Sequence, residues 1–432
     1  MSVFYVPASS EMLVNMQSTA YSKVEPHEKE TSDFIDTHRV WKSEYRKSEY
    51  ICNGFGRTVL PDDTYDVCVP VMGAAYLKLN NIKMCLVNPH NKASAMPASY
   101  RDAGLQVIAD SGGFQLVTNK TDFIDPVELA KSYNSVATLG MDLDIPPRIG
   151  IPNEQIVALA KIQNANYERI SEHLNSKVHM VTVLHGRSLD ERKMWMDVIG
   201  REDSEFISVA GLLRMYTTDI PLELLCIEQL LLTVSRYKKT KYIHCLGSTS
   251  TMANFVYALL DHLGIVKNIG GDSVSHVLNI ASGQLFSLYP WNNIKVPKNF
   301  HTTVLPSCSC PICTTLHDYR LLNGYLGKAH ALYNRNEQKN YTVHLTNLLL
   351  NGDIKIPEFL SLTNLTTAPD VVQRCIDYAS EFKATGKFKE LKRRRNNLFA
   401  SKKVAKKISP EDIKIVDKII KNYEKYYQTR FL

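Results

Sequence analysis

Short apolar, β-branched runs separated by helical patterns constrain this chain more than any other feature. The runs fall at 67–72 (VCVPVM), 82–87 (IKMCLV), 106–109 (QVIA), 136–143, 178–184 (VHMVTVL), 205–210 (EFISVA) and 241–246 (KYIHCL). Between the later ones, residues 125–137, 153–175, 188–200, 220–236 and 249–263 carry apolar side chains at i, i+3, i+4 spacing. Strand alternating with helix predicts parallel βαβ units. Several strands end on a residue that a core does not hold without reason: Asp110, Asp144, His185, Gly211, Gly247 and, after a longer segment, Asp272. The successive gaps are 34, 41, 26, 36 and 25 residues, each about one βα unit. In a (β/α)8 barrel the functional groups sit at the C-terminal ends of the strands, and about 250 residues close the barrel. The expected fold is therefore α/β, a TIM barrel over residues 66–350 with room for insertions. A doubly wound open sheet satisfies the same alternation.

The flanks read differently. Residues 1–65 are polar and weakly patterned and are expected to be an N-terminal extension outside the core. Residues 351–432 are expected to be a basic, helical C-terminal extension. Ser409 and Pro410 mark a helix start, after which Ile413, Val416, Ile419, Ile420, Tyr423 and Tyr427 share one face. Residues 383–407 hold eleven Lys or Arg against the single acid Glu390, a balance of +10 that leaves −3 for the rest of a chain whose total is +7. Clustered charge of this kind points to a polyanionic partner, with a solvated run as the plainer reading.

Composition narrows the class. At 432 residues and 44% hydrophobic, disorder is excluded for the bulk of the chain. No stretch reaches the roughly 18–20 apolar residues of a membrane span, and MSVFYVPASSEMLVN lacks the order of a signal peptide, so a cytoplasmic protein with no membrane partner is expected. Nine cysteines at irregular positions disfavour a disulfide scaffold and favour reduced thiols or a metal site.

Four segments can carry chemistry. In Asp110-Ser111-Gly112-Gly113-Phe114-Gln115 an acid at a strand end precedes two glycines, which let the backbone approach a flat ligand, and an aromatic face on which a base can stack; a helix-capping turn is the plainer reading. Asp142 and Asp144 are one residue apart, so an extended strand points both to one side, where they must meet donors such as the N–H edge of a purine. Asp272 follows Gly270 and Gly271 and is either a turn acid or a nucleophile able to form a glycosyl-enzyme intermediate. Cys308, Cys310 and Cys313, at C-x-C-x-x-C spacing, can wrap one tetrahedral zinc ion, with His317, His330 or His344 as the fourth ligand and a structural role for the closed site.

Taken in order, DSGGFQ, an LDIP-type acid, a Gly-Leu pair, a late GDS and C-x-C-x-x-C with a distal His resemble the tRNA-guanine transglycosylase superfamily over residues 66–350. Members of that family are zinc-bearing TIM barrels that exchange a guanine in nucleic acid for a 7-deazaguanine. The resemblance implies that Asp272 is the nucleophile and Asp110 the general acid/base. It implies that Asp144 pairs with the guanine edge, that Phe114 stacks on the base with Leu246 on its other face, and that Gly211 and Leu212 contact it through the backbone. Ser111 and Gln115 of the same DSGGFQ segment join the base-binding set. His185 and Gly186 stand where the tRNA enzymes have Gln-Gly. By the same resemblance His344, in a segment read as the head of a helix, completes a zinc subdomain at about 300–350, with His330 as the fallback.

Both ends of the chain lie outside the resemblance, and the whole is closer to the DNA-modifying branch of the superfamily, from phages and bacteria, which places preQ0 or a relative into DNA. The expected partners are a 7-deazaguanine base and nucleic acid, DNA before tRNA, with accessory proteins or a homodimer compatible with the same reading. Lys392, Arg393, Arg394, Arg395, Lys402 and Lys403 are the residues expected on the phosphate backbone. A non-catalytic, zinc-containing binding subunit is a third reading, disfavoured because both Asp110 and Asp272 are present.

Overall fold

The computed structural model describes residues 3–7, 83–87, 101, 104–118, 121–212, 220–273, 284–286, 293–295, 325–392 and 410–428. Eight strands make the main sheet: β1 (Val3–Pro7), β2 (Met84–Val87), β3 (Gln106–Ala109), β4 (Leu139–Met141), β5 (His179–Leu184), β6 (Phe206–Val209), β7 (Tyr242–Cys245) and β8 (Ile269–Ser273). Their order is β1-β8-β7-β6-β5-β4-β3-β2 and every pairing is parallel. β1 also lies against β2, so the sheet nearly closes into a TIM-like barrel. A short antiparallel pair, β9 (Gln284–Phe286) and β10 (Asn293–Lys295), stands apart from it.

The period of two along each strand sorts side chains between two cores. Met84, Leu86, Ile108, Leu139, Met141, Val181, Val183 and Tyr242 form one apolar cluster, the barrel interior. The residues that alternate with them, such as Cys85, Val107, Ile207, Val209 and Ile243, belong to the larger cluster shared with the helices. Those helices are α1 (Gly113–Val117), α2 (Pro126–Val136), α3 (Asn153–Ser171), α4 (Leu189–Ile199), α5 (Leu222–Arg236) and α6 (Thr251–His262). Side-chain caps fix three of their starts: Asp125 accepts from Val127 N, Ser188 from Glu191 N and Ser250 from Ala253 N. Helices α7 (Tyr325–Asn351), α8 (Ile356–Thr363), α9 (Pro369–Thr385) and α10 (Pro410–Gln428) add a further layer. α7 packs on α6 and α9 on α5, which explains why α5 and α6 are buried on nearly every side. α10 packs on α3 and α1, and the expected face buries Val416, Ile419 and Tyr423. The Tyr423 hydroxyl donates to Ile124 O at 3.0 Å and that of Tyr427 to Asn166 Oδ1 at 2.6 Å.

One expectation changes. Val3–Pro7 is a barrel strand, in register with Ile269–Ser273, not part of an extension outside the core. A run as short as VFYVP, ahead of a polar and weakly patterned stretch, is not marked locally as a core strand. The expected strand at 67–72 lies outside the described residues. None of the helices among the described residues is long and apolar enough to cross a membrane.

Because β1 covers the edge of β8 and lies against β2, deleting residues 1–7 is expected to open the barrel at that seam. At about 1 kcal/mol per ladder hydrogen bond, the loss is on the order of 3–5 kcal/mol, read as a lower midpoint in urea denaturation.

Candidate active site

Strand alternation carries a residue to the mouth of the barrel from four strands, and three of these residues are polar. The inward positions Ile108, Val183, His244 and Gly270 are followed two residues on by Asp110, His185, Leu246 and Asp272. β4 behaves differently. After inward Met141, Asp142 turns outward and Asp144 N bonds Asp142 O at 2.7 Å, a tight turn about Leu143. The two acids therefore do not share a side, as an extended strand would require. Asp142 is buried between sheet and helices, where Gln163 Nε2 donates to its Oδ2 at 2.6 Å and Arg201 Nη2 at 2.5 Å; it is a structural acid. Burial raises its pKa, and Arg201 and Gln163 oppose that.

Asp144, in contrast, faces the mouth and is buried. Ser111 Oγ donates to its Oδ1 at 2.7 Å and His185 Nε2 to its Oδ2 at 2.8 Å. Burial lowers the pKa of His185 in spite of this bond, so the ring is neutral at pH 7, held edge-on against Trp195 at 4.8 Å. Asp272 is also buried, and its Oδ1 accepts from Gly247 N at 2.7 Å and His244 Nε2 at 3.1 Å. Asp110 has a different surrounding. Burial, then the charge of Asp144, then that of Asp272 raise its pKa to about 7, against the backbone N–H groups of Gly112 and Ser111. The mouth thus holds one acid that keeps a proton near neutrality beside two that each have an imidazole donor.

Close backbone approaches shape this arrangement. A Cβ on Gly113 would lie 1.7 Å from Asp144 O, and one on Gly271 would lie 1.9 Å from Ser248 O. Phe114, on α1, is 54% exposed, an aromatic face open to a ligand. The buried Oε1 of Gln115 accepts no hydrogen bond among the described residues. The loops after β5 and β6, with Gly186 and Gly211, are tied together by Arg192. This fully buried cation donates to the carbonyls of Leu184, Gly186 (2.9 Å) and Ala210 (2.6 Å) and to Gln229 Oε1 (3.0 Å). Burial lowers its pKa to about 10. Leu212 is buried in the core, its carbonyl accepting from Cys226 Sγ at 3.7 Å, and Leu246 packs on the barrel interior.

The structure therefore brings Asp110, Ser111, Phe114, Gln115, Asp144, His185, Gly186, Gly211, Leu246 and Asp272 to one end of the barrel. Sequence reasoning passed over Arg192, Tyr242 and His244. Arg192 had a signal, a charge three residues from both Leu189 and Trp195 on the apolar face of α4; His244 had one too, at an inward position of β7. Cys308, Cys310, Cys313, Arg393, Arg394, Arg395, Lys402 and Lys403 lie outside the described residues. Lys392 is exposed. His344 is not at the head of a helix but well inside α7, which begins at Tyr325, and its side chain is exposed. His330 is buried, with Nε2 3.1 Å from Asn334 Nδ2, so His344 offers the more accessible imidazole. A groove lined by Val157, Ile162, Ile420 and Tyr427 lies between α3 and α10, outside the barrel and apart from the carboxylates.

No protein-family model matches the chain, and no curated protein matches it.

The raised pKa of Asp110 sets a pH signature. A carboxyl whose folded pKa exceeds its unfolded value contributes stability that is present below about pH 4 and lost as pH rises through about 7. Asp110→Asn removes that loss, so its melting temperature relative to wild type is expected to rise between pH 5 and pH 8. The corresponding free energy is at most about 4 kcal/mol, and a pH-independent difference between the two proteins contradicts the assignment.

Proposed function

We propose that this protein is a base-exchange transglycosylase that replaces a guanine in DNA with a 7-deazaguanine, preQ0 or a relative, through a covalent aspartyl-glycosyl intermediate. The observation that carries the reading is the division of labour among the three acids: Asp110 holds a proton near neutrality while Asp272, supplied with two donors, faces it across the same mouth. The motif order DSGGFQ, LDIP and GDS, which resembles the tRNA-guanine transglycosylase superfamily, falls on that mouth and supports it.

In the first half-reaction a carboxylate oxygen of Asp272 bonds C1′ of the target nucleotide as the C1′–N9 bond breaks, and Asp110 gives its proton to the departing base. Asp144, fixed by Ser111 and His185, accepts from the N1–H and 2-amino edge of guanine, and Phe114 stacks on the ring. In the second half-reaction Asp110 takes the proton of the incoming base, whose nitrogen attacks C1′ and frees Asp272. Reaching C1′ of a paired guanosine requires an unstacked nucleotide, at a cost of a few kcal/mol. The basic residues Lys392 to Lys403 supply phosphate contacts that offset it.

A single structural zinc ion held by Cys308, Cys310, Cys313 and His344 belongs to the same proposal. Its chemistry would be to cross-link chain segments, and no step of the exchange uses it.

Asp272→Ala is expected to abolish base exchange while nucleic-acid binding stays within about twofold, since the carboxylate acts on the reacting carbon and not on the phosphates. Nucleoside mass spectrometry of cells supplied with a 7-deazaguanine is expected to show a modified deoxynucleoside. A modified ribonucleoside confined to tRNA would reassign the substrate, and wild-type turnover by the alanine variant would remove the nucleophile. Replacing Arg393, Arg394 and Arg395 by Gln is expected to lower the slope of log affinity against log salt by about 3. An unchanged slope places the phosphate contacts elsewhere.

A further inference from the structure

Tyr242 and His244 are alternate residues of β7, both inward and both buried. His244 Nε2 lies 3.1 Å from Asp272 Oδ1, and His244 Nδ1 lies 3.0 Å from the Tyr242 hydroxyl. A carboxylate only accepts, so Nε2 carries the hydrogen, and on a neutral ring Nδ1 must then accept from the tyrosine O–H. Burial pushes the Tyr242 hydroxyl well above the usual tyrosine range, so it keeps the proton it donates. Asp272 Oδ1 has a second donor in Gly247 N at 2.7 Å. Among the described residues, Oδ2 takes no hydrogen bond. The two oxygens of one carboxylate are thus unequal: Oδ1 is pinned from two directions and Oδ2 is left toward the mouth.

We propose that Tyr242 and His244 form a positioning relay in which Tyr242 fixes the His244 tautomer, His244 and Gly247 hold Oδ1, and Oδ2 is the oxygen that attacks. The relay rests on the base-exchange reading and adds to it the residues that orient the nucleophile. In the first step the Oδ2–C1′ bond forms, the C1′–N9 pair leaves with the base and Asp110 supplies the proton. In the return step the incoming base gives its proton to Asp110 and bonds C1′, and the Oδ2–C1′ pair returns to Asp272. The N–H groups on Oδ1 then stabilise the carboxylate as its charge reappears, and they do so from fixed positions. Neither Tyr242 nor His244 reaches the base in this scheme, so their loss falls on turnover and not on binding of the base.

The test is guanine-for-guanine exchange, following labelled guanine into DNA or tRNA with the full-length protein, which needs no knowledge of the incoming base. Tyr242→Phe is expected to lower kcat about tenfold with KM for guanine within about twofold. His244→Ala is expected to lose about a hundredfold, and His244→Gln, whose amide nitrogen can replace Nε2–H, to recover part of that loss. Nitrogen-15 shifts of the imidazole give a readout that does not depend on activity: the wild type should hold the Nε2–H tautomer and Tyr242→Phe a mixture. An active wild type with Tyr242→Phe unchanged in kcat and tautomer, or with His244→Gln no better than His244→Ala, overturns the relay and leaves base exchange standing. A wild type that exchanges guanine in neither nucleic acid overturns both.

Discussion

Asp110, Asp144 and Asp272 come together at the mouth of a barrel whose interior below them is apolar, and their burial and mutual repulsion are the constraint to which the rest of the mouth answers. Carboxylates gathered in such a place must be met by donors. Asp110 has the backbone N–H groups of Gly112 and Ser111, and the other two each have an imidazole as well. Asp144 has the Ser111 hydroxyl and the His185 imidazole; Asp272 has the Gly247 amide and the His244 imidazole. The remaining strain falls on Asp110, which relieves it by holding a proton. On the proposed function, an acid, a base-reading group and a nucleophile are therefore not three independent choices of residue. They follow from one shortage of positive charge distributed unequally over three similar side chains.

The donors must themselves be held, and here the buried cation Arg192 matters. It spends its guanidinium on carbonyls at the ends of β5 and β6 and not on any carboxylate of the mouth. A free cation beside Asp110 would draw its pKa down and remove the proton that the cluster needs. By binding loop backbone, Arg192 fixes the loops of Gly186 and Gly211 and leaves the repulsion among the acids intact. The glycines serve the same end on the other side, since Asp144 O and Ser248 O occupy the space in which a side chain on Gly113 or Gly271 would have to sit.

Much of this was legible in the sequence. Strands β2 to β7 and helices α2 to α6 announce themselves through apolar periodicity, and Asp110, Asp144, His185 and Asp272 stand out as polar residues ending apolar runs. β8 did not read as an apolar run, because Ile269-Gly270-Gly271-Asp272-Ser273 carries glycines where a strand normally carries β-branched residues, and packing against Ser248 requires one of them. β1 was invisible for a non-local reason: its only recommendation is the partner strand it meets at the other end of the barrel. Asp142 misled because a one-residue spacing predicts a shared side only while the strand stays extended, and the chain turns at Leu143. His244 sits inside an apolar run, and only the fold brings Tyr242 and Asp272 to its two nitrogens.

The C-terminal charge also takes on a sharper form. Part of the basic stretch is already committed to the folded body: Lys389 pairs with Glu381 at 2.9 Å, Lys383 donates to Gly264 O at 3.3 Å, and Leu391 N donates to the buried Glu228 at 2.8 Å. On the proposed function, the cations from Lys392 onward are the ones that meet the polyanion. Their flanks are anchored on both sides, by Leu391 on α5 and by α10 on α3, with Tyr423 and Tyr427 fastening the latter. On that function, anchoring the flanks lowers the entropy to be lost when the basic residues meet phosphates. Tethering also raises their effective concentration at the barrel. On the proposed function this matters for chemistry as well as affinity, because the nucleotide must be held near the acids long enough to unstack. A tail free at one end would bind the same polyanion without fixing where its bases lie.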